Sequence, residues 1–346
     1  ECRARYPDLM AIVEEKVRPE RIKKDGKKYP RMVYEWWKYW NARPELYAAL
    51  ADVDEVLAIN CGATPHVSVA VLASRSVFAH TLALLVLPSR LAFPLLQARP
   101  HEIWARFFGS SMKDDLRYTP SDCFETFPFP ENFESNATLE AAGQEYYEFR
   151  AALMVTNDEG LTKTYNRFHD PAESSAEIAR LRELHAVMDR AVLDAYGWAD
   201  LPTTCGFALD WLDLDDDELA ATLAAAPDDI RERIDAADYF FADAAAACRF
   251  QSHIKKSGRG KLPWRYRWPD DVRDDCLARL LALNAARGEA ERLTGPPAAK
   301  PSSRRGRSAK PKRPKPPKPP QANATRRSPK APKPNPSRPL FNDDEE

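Results

Sequence analysis

Residues 99–130 read RPHEIWARFFGSSMKDDLRYTPSDCFETFPFP. The first ten describe a helix. Pro100 is tolerated in a first turn, Ile103/Phe107 and Trp104/Phe108 form i,i+4 pairs, and Gly109 can close the end. Residues 110–130 then read as loop and strand. The string Phe124-Glu125-Thr126-Phe127-Pro128-Phe129-Pro130 ends it, because its prolines cannot continue a ladder.

Working outward toward the N-terminus, three runs rich in Val, Leu and Ile (56–59, 67–72 and 77–87) are separated by Gly62, Pro65 and Ser74-Arg75-Ser76. Their lengths and breaks predict strands of one sheet. Residues 1–43 are punctuated by Pro7, Pro19 and Pro30, with Pro44 just beyond, so they divide into short pieces rather than one long helix. Arg18, Arg21, Lys23, Lys24, Lys27, Lys28 and Arg31 precede Tyr34-Glu35-Trp36-Trp37-Lys38-Tyr39-Trp40.

Toward the C-terminus the pattern turns helical from about 138. Ser174-x-x-Glu177 predicts a capping box, and Ile178, Leu181, His185, Met188, Val192 and Ala195 recur at 3/4 spacing until Gly197. Residues 216–249 predict two Ala- and Asp-rich helices broken at Pro227. Pro269 opens a final helix with the stripe Val272, Cys276, Leu280 and Leu283.

The 346 residues are 44% hydrophobic and 30% charged, enough for a packed core. The near-cancelling charge, 51 basic against 52 acidic residues, averages two unlike parts. Residues 296–346 hold 14 Lys and Arg against 4 acids, a net of +10, which leaves 37 against 48, a net of −11, for the rest. Fourteen of the 30 prolines lie in that last stretch, so it reads as a disordered basic arm. The uncharged apolar run 76–89 is well short of the ~20 residues a spanning helix needs, so no membrane segment is expected. The chain starts at Glu1 with no initiator Met and no leader, which reads as a truncated start. Six dispersed cysteines without a CxxC pair suit a reducing, cytoplasmic setting, and no His sits near Cys at zinc-ligand spacing.

Signatures of catalysis are missing from the residues. Twelve glycines include no GxGxxG, and Gly258-Arg-Gly260 lies in a basic stretch that reads as a solvated turn. Ser110, Ser111 and Ser121 lack a G-x-S-x-G context. The acidic run 213–218 precedes a helix, whose dipole it complements. Asp270-Asp271 lacks the Glu-x-Lys that a nuclease would add.

The stretch 99–130 resembles the target-recognition region of adenine-specific DNA methyltransferases from restriction–modification and phage-defence systems, including type II bifunctional enzymes. The matching pieces are His101-Glu102-Ile103-Trp104-Ala105-Arg106, Gly109-Ser110-Ser111 and residues 116–130. Flanks agree at Trp36-Trp37, Arg43-Pro44-Glu45-Leu46, Leu181-Arg182-x-Leu184-His185, Met188-Asp189, Ala195-Tyr196-Gly197-Trp198, residues 264–269 and Leu280-Leu281-x-Leu283-Asn284. Where the family keeps one apolar helix, this chain has Pro94 and Pro100, which leaves 91–98 outside the predicted helix.

The resemblance implies an α+β class with a mixed-sheet target-recognition domain (44–137). A Trp-rich basic connector from a missing catalytic domain (1–43) precedes it, and a helical C-terminal module (138–294) and a disordered Lys/Pro-rich tail (295–346) follow. It further implies DNA target recognition for an enzyme that methylates the exocyclic amino group of a flipped-out adenine. S-adenosylmethionine would be bound by the missing catalytic half, since neither a glycine motif for it nor Asn/Asp-Pro-Pro-Tyr/Phe occurs here. Alone, the chain is expected to be inactive. The implied partners are double-stranded DNA and an N-terminal methyltransferase domain or catalytic subunit. The alternative is a stand-alone specificity subunit.

Candidate DNA contacts are Lys23, Lys24, Lys27, Lys28, Arg31, Arg106, Ser111, Lys113, Arg117 and Tyr118, since readers need cations for phosphates and a few side chains for base edges. The structural readings are an ion pair of Arg106 with Asp114 or Asp115 and packing of Tyr118 under Phe124. Trp36, Trp37, Trp40 and Trp104 read as packing residues rather than stacking platforms.

Overall fold

The computed structural model describes residues 1–39, 42–112, 115–212, 214–254 and 262–294. The described residues belong to one compact unit. The expected disordered tail and the turn at Gly258-Arg-Gly260 lie outside the described residues, as does Trp40.

The three predicted strands form one sheet, β1 (Glu55–Asn60), β2 (Val69–Ala73) and β3 (Leu82–Leu85), in the order β2-β1-β3. Leu57 pairs with Val71 on one side and Leu85 on the other. All pairing among the described strands is antiparallel, so no parallel strand makes the sheet mixed. Side chains alternate faces along a strand, and Val56–Ile59 are all buried, so β1 is covered on both faces.

Residues 91–98 are helical after all, apart from the break itself. A helix runs Ser89–Gln97 with Pro94 inside it, Ala98 is extended (ψ 161°), and a second helix runs Arg99–Phe108. An interior proline costs about 3 kcal/mol, and each fully buried Leu or Phe stabilises by ~1.5–3 kcal/mol. Phe93, Leu95 and Leu96 are all buried here, so packing wins over propensity. Gly143 makes room for the ring: a Cβ there would sit 2.8 Å from Pro94 Cδ.

Core formation joins this sheet to the helices that follow. Leu57, Ile59 and Val69 share one apolar cluster with Leu95 of Ser89–Gln97, Tyr146 of Ala137–Thr156, and Ile178, Leu181 and Met188 of Ala176–Ala195. Arg150, 2% exposed, lies within it and has no carboxylate partner among the described residues. It donates to Val69 O (2.8 Å), Gln97 Oε1 (3.0 Å) and the Tyr165 hydroxyl (2.9 Å).

Several local expectations change. No strand covers 118–130; a turn of helix, Pro120–Cys123, leads into irregular chain that buries Phe127. The cap of the Ala176–Ala195 helix is Ser175, not Ser174, and Glu173 rather than Glu177 accepts from its backbone N–H (3.0 Å). Residues 216–249 do break at Pro227, between Asp216–Ala225 and Asp228–Asp235, and a third helix, Ala244–His253, follows. Asp215 caps the first of them in a capping box with Glu218. A second sheet escaped the sequence reading: the strand Gly206–Ala208 lies between Phe240–Phe241 and Arg265–Arg267. Strands of two or three residues leave no periodicity to read. The final helix is Asp270–Thr294, with Val272, Cys276 and Leu280 buried. No described helix is long and apolar enough to cross a membrane.

Candidate nucleic-acid interface

The Arg99–Phe108 helix runs directly into a hairpin, β4 (Ser110–Met112) and β5 (Asp115–Arg117), paired Ser110↔Arg117 and Ser111↔Leu116. Gly109 is required at the junction because a Cβ there would collide with the Leu116 side chain and the Ala105 carbonyl. Leu116 is buried and exchanges both backbone hydrogen bonds with Thr64 (2.9 and 3.1 Å), which fixes the hairpin to the loop after β1. Alternation then places Asp115 and Arg117 on the opposite face, and Arg117 is exposed. Of the candidates in this stretch, Arg117 is the one whose side chain is described as exposed, on a strand that Leu116 ties to Thr64. Ser111 lies on β4, one position from Arg117's partner. Lys113 falls outside the described residues.

Two candidates are turned inward. Tyr118 is 2% exposed, and its hydroxyl meets His101 Nε2 at 3.1 Å rather than Phe124 or DNA. Burial pushes the Tyr118 phenol up and the His101 imidazole down to about 4, so His101 is neutral. With its Nδ1 2.8 Å from the Leu96 carbonyl, His101 donates there and accepts from Tyr118. Arg106 pairs with Glu102 (2.8 Å), not with Asp115, and donates to the Pro65 carbonyl (2.8 Å), while Asp114 lies outside the described residues. Arg265 donates to the same carbonyl (2.7 Å). Burial would raise the Glu102 carboxyl, but the guanidiniums of Arg106 and Arg265 hold it down at about 2. Arg106 is therefore a clamp on the loop before β2.

The basic cluster is exposed in full. Asp25 does not neutralise it: its Oδ1 accepts from the backbone N–H of Lys27 (2.8 Å) and Lys28 (3.3 Å), which shapes the turn. Lys28 Nζ stands 5.2 Å above the Tyr29 ring, and Arg31 meets Glu35 at 3.4 Å. Lys23, Lys24 and Lys27 make no ion pair with a described residue. Trp36 lies under Arg18 (5.4 Å) and against Trp37 (5.6 Å), and Trp104 is fully buried, so Trp36 and Trp104 are packing residues, whereas Trp37 is exposed.

The sequence reading missed a buried polar junction. Arg99, the first residue of the Arg99–Phe108 helix, donates its backbone N–H to Asp189 Oδ1 (2.9 Å) and pairs through Nη1 with Asp189 Oδ2. Nη1 also approaches His185 Nδ1 (2.7 Å), and Nη2 donates to the Tyr266 carbonyl (3.1 Å). His66 and His169 stack nearby (4.9 Å), with His66 held by Asn166 (2.8 Å) and His169 accepting from the Tyr266 N–H (2.9 Å). The quoted Leu184-His185 and Met188-Asp189 pieces carried the signal, but spacing alone could not say that Arg99 was their partner.

A short hairpin with one outward arginine is thus fixed to a sheet and a helical module, and a separate lysine cluster lies in the N-terminal segment. Among the described residues no three His, Cys, Asp or Glu side chains converge as metal ligands. Residues 15–131 match the family model described as the MmeI target recognition domain. A similar solved structure is that of the type IIL restriction-modification enzyme MmeI in complex with DNA, 19% identical with a TM-score of 0.41. The match covers 55% of this chain and 24% of that one, so the chain spans about a quarter of that enzyme's length. No curated protein matches the sequence.

Proposed function

We propose that this chain reads the DNA target for a site-specific adenine methyltransferase of a restriction–modification system. Support comes chiefly from the match of residues 15–131 to a target-recognition domain, with the hairpin that carries Arg117 inside it. Lys23, Lys24 and Lys27 neutralise phosphates, and Arg117 meets a base edge. S-adenosylmethionine and the catalytic residues belong to a part outside this chain, which alone transfers no methyl group. The exposed Leu9, Ile12 and Trp37 (60, 50 and 46%) leave apolar surface in the N-terminal segment for that part to cover.

A binding selection from a randomised duplex pool tests the reading by yielding a sequence motif. Arg117→Ala should then cost about 1–3 kcal/mol of discrimination at one base pair and leave the melting temperature alone. Enrichment of no motif by the folded chain refutes sequence reading.

A further inference from the structure

The loop from β1 to β2, residues 61–68, holds the hairpin through one short bridge. Thr64 and Leu116 exchange backbone hydrogen bonds there, and Leu116 immediately precedes Arg117. The residue after Thr64 is Pro65, whose carbonyl is its only backbone polar group. A carbonyl oxygen has two lone pairs, and this one accepts from two guanidiniums: Arg106 Nη2 (2.8 Å) and Arg265 Nη1 (2.7 Å). Arg106 belongs to the helix that leads into the hairpin, so its contact stays within that part of the chain. Arg265 stands 200 residues beyond Pro65, on the strand Arg265–Arg267.

Arg265 is itself held. Its side chain is buried, and Nε lies 3.4 Å from Asp210 Oδ2, so the guanidinium is presented in a fixed orientation. One residue along the loop, the same part of the molecule takes hold again. His66 Nε2 donates to Asn166 Oδ1 (2.8 Å) on the helix Leu161–His169, and the His66 ring stacks on His169 (4.9 Å). His169 Nδ1 in turn accepts from the N–H of Tyr266 (2.9 Å), the neighbour of Arg265. Residues 61–68 have no ladder of their own beyond the Thr64 bridge, so these contacts fix where Thr64 lies. A hydrogen bond from a guanidinium is charge-assisted and about twice as strong as a neutral one, which makes Arg265 a principal anchor.

We propose that Arg265 is a positioning residue for DNA reading: by holding the Pro65 carbonyl it fixes Thr64, and through Thr64 the strand that presents Arg117. The role in reading rests on the function proposed above, whereas the anchoring of the hairpin does not depend on DNA. Bidentate contact of an arginine with a base edge tolerates little displacement, so releasing the loop costs discrimination although Arg117 itself is intact.

Two substitutions in the full chain test this. Arg265→Met removes the donors and the charge but keeps an unbranched stem, and Arg265→Lys keeps the charge with a compact donor. Fluorescence anisotropy on the selected duplex and a scrambled one, at several salt concentrations, reads discrimination and salt slope separately. Arg265→Met should lower discrimination ~10-fold and leave the slope unchanged, and Arg265→Lys should recover part of the loss. In an Arg117→Ala chain, Arg265→Met should change discrimination by no more than ~2-fold, because residues that act through one contact are not additive. Hydrogen exchange needs no DNA: the Thr64 and Leu116 amides should exchange roughly 2–10-fold faster in Arg265→Met, relative to the core amide of Met188. Circular dichroism checks folding, and Asn166→Ala, which frees His66 from the same loop, takes the place of Arg265→Met if that variant does not fold. A full effect in the Arg117→Ala chain, or a flattened salt slope, overturns the proposal, since Arg265 would then act on DNA by itself. A wild-type chain that selects no motif fails the reading function. A chain that selects one, with discrimination or exchange unmoved in the folded variants, fails the positioning role alone.

Discussion

Replacing Lys23, Lys24 and Lys27 together by Gln should flatten the salt dependence of DNA binding without changing which duplex is preferred. These three are exposed and make no ion pair with a described residue, whereas Lys28 stands over Tyr29 and Arg31 is paired with Glu35. Each phosphate neutralised contributes about −0.9 to the slope of log affinity against log salt, so three contacts contribute about −2.7. Between about 50 and 200 mM salt, a fourfold change, the wild-type affinity ratio should then exceed the variant's by roughly 40-fold. Arg31→Gln should change the slope by less than ~0.9, because breaking the Glu35 pair offsets part of the gain at phosphate. Fluorescence anisotropy on a selected duplex and a scrambled one, at four salt concentrations, supplies both quantities. A triple variant with an unchanged slope would place the cluster away from DNA. One with altered preference between the duplexes would mean that these lysines reach base edges.

Asp189→Ala should lower stability by about 3–5 kcal/mol in a denaturant melt, because it leaves the buried Arg99 cation without its carboxylate. Acid should destabilise the fold in two stages. His101, its pKa depressed by burial from 6.5 to about 4, contributes stability that is full above pH 6.5 and lost as pH falls through 4. Glu102, depressed from 4.5 to about 2, loses its share below that. His101→Phe should flatten the upper window in melts recorded from pH 7 to 4, and an unflattened profile would assign that window to other groups such as His66 and His169, which burial also pushes down. Deleting residues 296–346, with their 14 basic and 4 acidic residues, should weaken binding to all duplexes alike and reduce the salt slope. An unchanged slope would give the tail another partner.

The sequence by itself determined the elements whose residues carry their own period or punctuation. The Val- and Leu-rich runs became β1 to β3, the prolines cut the first 43 residues into short helices, Pro227 split a helical stretch, and Pro269 preceded the final helix. The unusual residues of 99–130 marked a target-recognition segment before any coordinates. Local signals suffice there because period, caps and breaks act within a few residues.

Tertiary structure decided the rest. Pro94 sits inside a helix because Phe93, Leu95 and Leu96 are buried and Gly143 yields space, facts set by a partner some fifty residues away. Tyr118 and Arg117 are neighbours with the same apparent chemistry for DNA, yet strand alternation and the Thr64 bridge turn one to His101 and the other to solvent. Arg106 chose Glu102 on its own helix and the Pro65 carbonyl, and Arg99 chose Asp189 ninety residues on. A charged side chain's role depends on which acceptors the fold brings within about 3 Å of it, and sequence spacing carries no record of that distance.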